Sequence, residues 1–272
     1  MNILIIGLGK VGSRIAQNVS KLNYVKEIFS YELGKKKNIN SKIKSLRPLQ
    51  NVKIDYVFIT LSRLKKEQRK KLCTKVKNTV ELRHHELKCN LQAIKKYLPY
   101  FKKMPRSTKF IVLTNPMDEI TNFLQFNLPD KQVIGFGSSL DKKRLSTVLK
   151  KKIECLGLHG QNIPIINLGS KTDYSAIINK ADDQLLRYVK KSGIPVKKTA
   201  DLFLEFFKTL NSKKEKVLNV CALNKDICIS RPFWVKNGKI LKPLKINLNK
   251  IEEKLFIKQK RLLHSNLSKI VK

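Results

Sequence analysis

Two stretches of this chain hold residue types that do chemistry. The first is CLGLHGQNIP (155–164), which places His159 in a glycine-flanked polar turn; the chain has only four histidines in 272 residues. An imidazole titrates near neutral pH, so it can give and take a proton within one reaction cycle. It can equally be a turn histidine with no task, and the short run does not decide. The second stretch is MNILIIGLGKVGSRIAQNV, where Gly7, Gly9 and Gly12 form G-x-G-x-x-G between an apolar run and a helical pattern. The first glycine suits a tight turn, the second lets backbone approach a pyrophosphate, and the third permits close helix–strand packing. The phosphates then meet the positive end of the helix. Glu32 follows about 20 residues on, where an acid can accept hydrogen bonds from the ribose hydroxyls of NAD and would repel the 2′-phosphate of NADP. Lys35, Lys36 and Lys37 come directly after it and soften that preference.

These residues need elements to hold them. MNILII, EIFSYEL, IDYVFITLS and KFIVLTN read as strands, the last closed by Pro116. Between the third and fourth, Leu87, Leu91, Ile94 and Leu98 recur at helical spacing and predict a helix over about 86–98. Strands alternating with helices predict a doubly wound parallel sheet of the Rossmann type. QVIGFGS is a further strand and marks the passage to a second part. That part is read as helices near 141–151, 173–192 and 198–210, a hairpin turning at Asn237-Gly238, and an amphipathic helix over about 249–270. The expected fold is therefore α/β: residues 1–134 as an NAD-binding Rossmann domain, then residues 135–272 as an α+β domain.

Composition bounds the function. Hydrophobic residues make up 42% of the chain, enough for a sizeable core. The longest apolar opening falls short of the roughly 20 residues of a membrane span, and it lacks the basic start and cleavage site of a secretory signal. Five scattered cysteines without a C-x-x-C pair fit reduced thiols and a cytoplasmic protein, not a zinc site or a disulfide framework. The charge stands out: 58 Lys and Arg against 20 Asp and Glu, net +38. These cations are spread over both halves, mostly singly or in pairs, which reads as a solvated Lys-rich surface. Nucleic acid is then expected only through non-specific attraction.

Four segments, in order, give His159 its partners: ELRHHELKCN (81–90), VLTNPMDEI (112–120), VIGFGSSLDKKRL (133–145) and GLHGQNIP (157–164). Together they resemble the lactate/malate dehydrogenase family. NPMD is similar to its NPVD, IGFGSSLDKKR to its IG-G-x-x-LD-x-x-R, and GLHGQNIP to its GEHGDS-x-P. ICISRPFWVKNGKI resembles the family's late strands, so the likeness runs nearly the whole chain. The resemblance implies that His159 is the general acid/base, that Asp141 orients its ring, and that Arg83 polarises the carbonyl being reduced. It implies that Arg144 grips the substrate carboxylate and that Asn115 hydrogen-bonds substrate beside the nicotinamide. It also implies cofactor contacts from Lys10, Val11, Thr60, Asn90 and Asn115 in addition to the glycines and Glu32.

The resemblance has departures. Leu158 stands where the family usually has Glu, and Gln161 where it has Asp. A helix the family carries between Glu32 and IDYVFIT is reduced or missing, and Pro195 falls near a pocket-lining Thr or Ser. The lid segment, Arg63 to Leu82, is long; Arg63, Lys65 and Lys77 are each candidates for the residue that reads the substrate's far end, and a cation there favours a second carboxylate. The expected function is an NAD-dependent 2-hydroxy-acid dehydrogenase in a homodimer or homotetramer, acting on malate and oxaloacetate, with lactate and pyruvate as the alternative. A catalytically impaired dehydrogenase fold that binds nucleic acid or acidic partners is the reading from another class.

Overall fold

The computed structural model describes residues 1–31, 43–45, 52–64, 66–166 and 172–270. Its strands are β1 (Asn2–Ile6), β2 (Glu27–Ser30), β3 (Ile43–Ser45), β4 (Tyr56–Ile59), β5 (Lys109–Val112), β6 (Gln132–Gly135), β7 (Glu154–Leu156), β8 (Ile163–Ile165), β9 (Lys216–Asn224), β10 (Ile227–Lys236) and β11 (Lys239–Pro243). Its helices are α1 (Lys10–Val19), α2 (Lys66–Lys75), α3 (Thr79–Lys95), α4 (Leu98–Lys103), α5 (Met117–Asn127), α6 (Ser138–Leu149), α7 (Tyr174–Ser192), α8 (Val196–Leu210) and α9 (Lys250–Ser268).

The parallel core of the sheet explains why these strands are apolar throughout. Both faces are covered, so successive residues of one strand enter opposite cores. Ile3, Ile5 and Phe58 pack against Phe203, Phe206 and Phe207 of α8 on one face. Leu4, Ile6, Val57 and Ile59 pack against Leu91, Ile94 and Phe101 on the other. The main sheet runs β11-β10-β9-β6-β5-β4-β1-β2-β3, with β7 and β8 forming a separate pair. From β6 to β3 the neighbours are parallel. The expected doubly wound α/β sheet is present, and its order reverses at β1, which lies between β4 and β2.

Several elements differ from their expected form or were not expected, among them β3, β7, β8, α2, α4 and α5. β9 has no counterpart among the expected strands; it joins β6 through the Gly135–Cys221 pair and carries β10 and β11 onto the same sheet. α3 begins at Thr79 instead of near 86, because the Asn78 side chain accepts the Glu81 backbone N–H at 2.9 Å and caps it. α6 begins at Ser138 instead of near 141, with Gly137 as its N-cap. The turn at Asn237-Gly238 is as expected, with φ of 50° and 75°. Most of the stretch between β2 and β4, where the family's helix is expected to be reduced or missing, lies outside the described residues.

Candidate active site

The glycine turn at the end of β1 has three different environments. Gly7 has φ +98°, and a Cβ there would lie 2.4 Å from the Leu61 Cα, so only glycine fits. A Cβ on Gly12 would lie 2.3 Å from the Gly7 carbonyl oxygen and 2.5 Å from Thr60 Oγ1. Gly9, the N-cap of α1, has nothing within 4 Å of a Cβ position and no side-chain cap. Two glycines thus close the turn on itself and the middle one leaves a bare cradle over the helix start, which fits a pyrophosphate. Thr60 donates from Oγ1 to the Gly7 carbonyl at 2.6 Å, holding the turn to the end of β4. Lys10 is exposed in the first turn of α1, and Val11 is half-buried against the core. Glu32 and Lys65 lie outside the described residues. Arg83 falls on α3 with its side chain outside what is described.

At the neighbouring strand ends, Asn90 of α3 is fully buried and acts as a bracket. Its Nδ2 donates to the Asn115 carbonyl at 2.7 Å, and its Oδ1 accepts the Arg63 N–H at 2.8 Å. This joins the base of the lid segment to the turn after β5. Arg63 itself is exposed, and Lys77 is exposed as well.

The histidine turn, between β7 and β8, is held through its backbone. Gly157 N–H donates to the Ser230 carbonyl at 2.8 Å, and Leu158 N–H to Gln259 Oε1 at 2.8 Å. His159 N–H donates to Asp118 Oδ2 at 2.7 Å, and Gly160 N–H to Asp141 Oδ2 at 2.7 Å. Gln161 N–H closes the turn on the Leu158 carbonyl at 2.9 Å. Gly157 and Gly160 supply the left-handed φ values, +115° and +87°. The imidazole is buried, with Nδ1 2.9 Å from Asp141 Oδ2. A carboxylate only accepts, so Nδ1 carries the proton and Nε2 is the nitrogen available for exchange with a substrate. The ring also leans on Gly137, where a Cβ would lie 2.6 Å from His159 Cγ.

Asp141 gathers this arrangement. Its Oδ2 also accepts Asn162 Nδ2 at 2.8 Å, and its Oδ1 accepts Arg144 Nη1 at 2.8 Å. On the sequence alone it could have been a plain helix cap; it lies instead inside the first turn of α6, with Oδ2 spent on the histidine turn and Oδ1 on Arg144. Arg144, three residues on, lines a cleft with Gly160, Asn162, Ile178, Asp182 and Leu185. Of the expected residues, His159, Asp141 and Arg144 therefore meet directly, while Gly7, Thr60 and Asn115 lie along the carboxyl edge of the same parallel strands, where such sheets place ligands. Pro195 is the N-cap of α8.

Three residues of this site escaped the sequence reading: Asp118, Gly137 and Gln259. Asp118 lies inside the quoted NPMD run, one turn from Asn115, which is the only signal that points to it. It is 4% exposed, and its Oδ1 has no nitrogen or oxygen donor. Burial first, then the nearby Glu119 and Asp141 carboxylates, raise its pKa to about 8 against the lowering pull of the His159 N–H.

Comparison with known proteins adds the relationship. No protein-family model matches the chain. It is 24% identical over 317 aligned positions to the L-lactate dehydrogenase of Fervidobacterium nodosum, covering 99% of the chain and 98% of that protein. Two local matches, to L-lactate dehydrogenases of Fusobacterium nucleatum and Shouchella clausii, are 30% and 26% identical and span 45% and 61% of those proteins' lengths. In fold it is similar to malate dehydrogenase of Cryptosporidium parvum, with TM-score 0.74, 19% identity and 98% of each chain covered. Malate dehydrogenase of Archaeoglobus fulgidus, solved in complex with NADH, matches over 100% of each chain with TM-score 0.75 and 16% identity. The chain is thus similar in sequence to L-lactate dehydrogenases and in fold to malate dehydrogenases.

Proposed function

We propose that the protein is an NAD-dependent 2-hydroxy-acid dehydrogenase that interconverts malate and oxaloacetate. The observation that carries this reading is the buried His159–Asp141 pair beside Arg144, at the sheet edge that also holds the glycine cradle. Gly7, Gly9, Lys10, Val11 and Gly12 would hold the pyrophosphate, with Glu32 on the adenosine ribose, and Thr60, Asn90 and Asn115 would complete the cofactor's seat. When bound, the nicotinamide supplies or accepts a hydride. His159 gives the Nε2 proton to the ketone oxygen during reduction and takes it back during oxidation, while Asp141 fixes the ring and stabilises the imidazolium. The substrate carboxylate meets the Arg144 guanidinium, whose planar fork suits it better than an ammonium would. Arg83 supplies positive charge where the alkoxide develops, once the lid segment has excluded water. In this reading residues 1–134 serve the cofactor and residues 135–272 the substrate, and the active form is a homodimer or homotetramer.

The preference for oxaloacetate rests on the malate-like IGFGSSLD run and on the lid cations Arg63, Lys65 and Lys77. Lactate and pyruvate form the second reading, favoured by the names of the sequence relatives. The test is the oxidation of NADH followed by absorbance with each 2-oxo acid. Faster turnover of oxaloacetate supports the first reading, faster turnover of pyruvate the second, and no turnover of either contradicts both.

A further inference from the structure

The C-terminal helix α9 reaches the histidine turn with one polar side chain. Gln259 Oε1 accepts the Leu158 N–H at 2.8 Å, and its Nε2 donates to the Gln161 carbonyl at 2.6 Å. Those two groups lie on either side of His159-Gly160, so a single amide closes a bracket around the imidazole's own backbone. The turn is shaped for it: Gly157 has φ +115°, and a Cβ there would lie 2.0 Å from Gln259 Oε1. Apolar packing runs alongside. Leu158 is buried with Leu263 and Leu267, which follow Gln259 at helical spacings of four and eight on one face of α9. The same helix is tied to α5, which carries Asp118, by Asn266 Nδ2 donating to Glu119 Oε1 at 3.0 Å.

We propose that Gln259 is a positioning residue for His159, setting the imidazole's place against Asp141 by fixing the backbone before and after it. A primary amide suits the task because it has a donor and an acceptor in one plane, spaced to bridge two groups of the same turn. Neither a carboxylate nor an aliphatic side chain can do both. The proposal rests on the reading of His159 as acid/base, and it goes beyond that reading by giving α9 a part in the reaction.

Gln259→Met keeps the length and volume of the side chain and removes both hydrogen bonds. The full-length variant is compared with wild type in three measurements: kcat and KM with NADH and oxaloacetate or pyruvate, thermal melting, and the titration of His159 in ligand-free protein by histidine-selective NMR. With only four histidines, the signal is assigned through His159→Asn. Lys258→Ala, on an exposed neighbour of the same helix, is the control. The expected result is a fall in kcat of about tenfold or more, with KM for NADH unchanged. A lowered His159 pKa is expected too, as the ring loosens from Asp141, while the control stays at wild-type values. An unchanged kcat and an unchanged His159 titration in Gln259→Met would overturn the proposal. If wild type turns over neither acid, the dehydrogenase reading fails by itself. The titration then decides: a shifted His159 signal upholds the bracket, and an unmoved one refutes it.

Discussion

At the start of α1 the turn is shaped by glycine backbone and tied by one hydroxyl, Thr60; at the histidine turn backbone N–H groups are held by side chains from three separate helices. The glycine cradle needs only the Gly7 turn, the close approach of Gly12 to the Gly7 carbonyl, and Thr60 from the adjoining strand. The histidine turn draws its carboxylates and amide from α5, α6 and α9, at separations of 41, 19 and 101 residues. The difference teaches where each kind of site can be read. A site made of permitted backbone angles leaves a local pattern of glycines, whereas a site made of satisfied N–H groups leaves its parts scattered among helices with other apparent jobs.

Breaking the cradle is expected to have the largest effect. Gly12→Val places carbon atoms where the Gly7 carbonyl and Thr60 hydroxyl already stand. NADH binding, followed by fluorescence or calorimetry, should be lost, while the histidine signals in NMR keep their wild-type positions. Retained binding would mean that the turn opens easily, and the contrast drawn above would fail on the cradle side.

The next effect sits on the other side of the comparison. Gly137→Ala brings a methyl group against the imidazole, 2.6 Å from His159 Cγ where nothing has room. A ring displaced by about 1 Å lowers kcat on the order of a hundredfold, and NADH affinity should stay as in wild type. If binding fell as well, the two sites would not be separable in the way their contacts suggest.

A smaller effect concerns Asp118. Burial holds its proton far more firmly in the folded chain than in the unfolded one, where a carboxyl titrates near 4. That contribution to stability is full below about pH 4 and is lost as pH rises through about 8. Asp118→Asn keeps an acceptor for the His159 N–H and removes the titration. Urea midpoints taken between pH 5 and 9 should therefore fall with rising pH in wild type and fall less in the variant. Parallel curves would show that the buried carboxyl is not a linked proton site.

How much was legible follows the same division. Gly7, Gly9 and Gly12 predict the turn because each has a steric reason that travels with a few residues of sequence. The alternation of strands and helices predicts the parallel sheet because its buried strands are continuous apolar runs. His159, Asp141 and Arg144 are found only by resemblance, since nothing in Leu-Asp-Lys-Lys-Arg states that the acid will turn away from its helix cap to meet a ring 18 residues on. Gln259 carries no local mark, because its role exists only once α9 and the turn have packed together, and Gly137 is marked only as the second glycine of the IG-G resemblance, not as a neighbour of the ring. The start of α3 is a different case: Asn78 followed three residues later by Glu81 is a capping signal, which the leucine spacing alone passes over. β9 was missed because Asn219 interrupts the apolar run of KVLNVCALN, which then shows neither the continuous run of the parallel strands nor a strict alternation. The departure at Leu158 also gains a physical reason, since its side chain is buried with Leu263 and Leu267 of α9; the departure at Gln161 has no structural explanation.

The pairing of His159 Nδ1 with Asp141 is the claim on which the chemistry depends, and turnover by Asp141→Asn tests it most directly. An amide in place of the carboxylate would no longer hold the ring's proton on Nδ1 or stabilise the imidazolium. The account predicts a kcat lower by about a hundredfold to ten-thousandfold, with NADH affinity near wild type and a lowered melting temperature, since the amide leaves buried donors of the turn or of Arg144 without an acceptor. A variant that turns over its 2-oxo acid within about threefold of the wild-type kcat would contradict it.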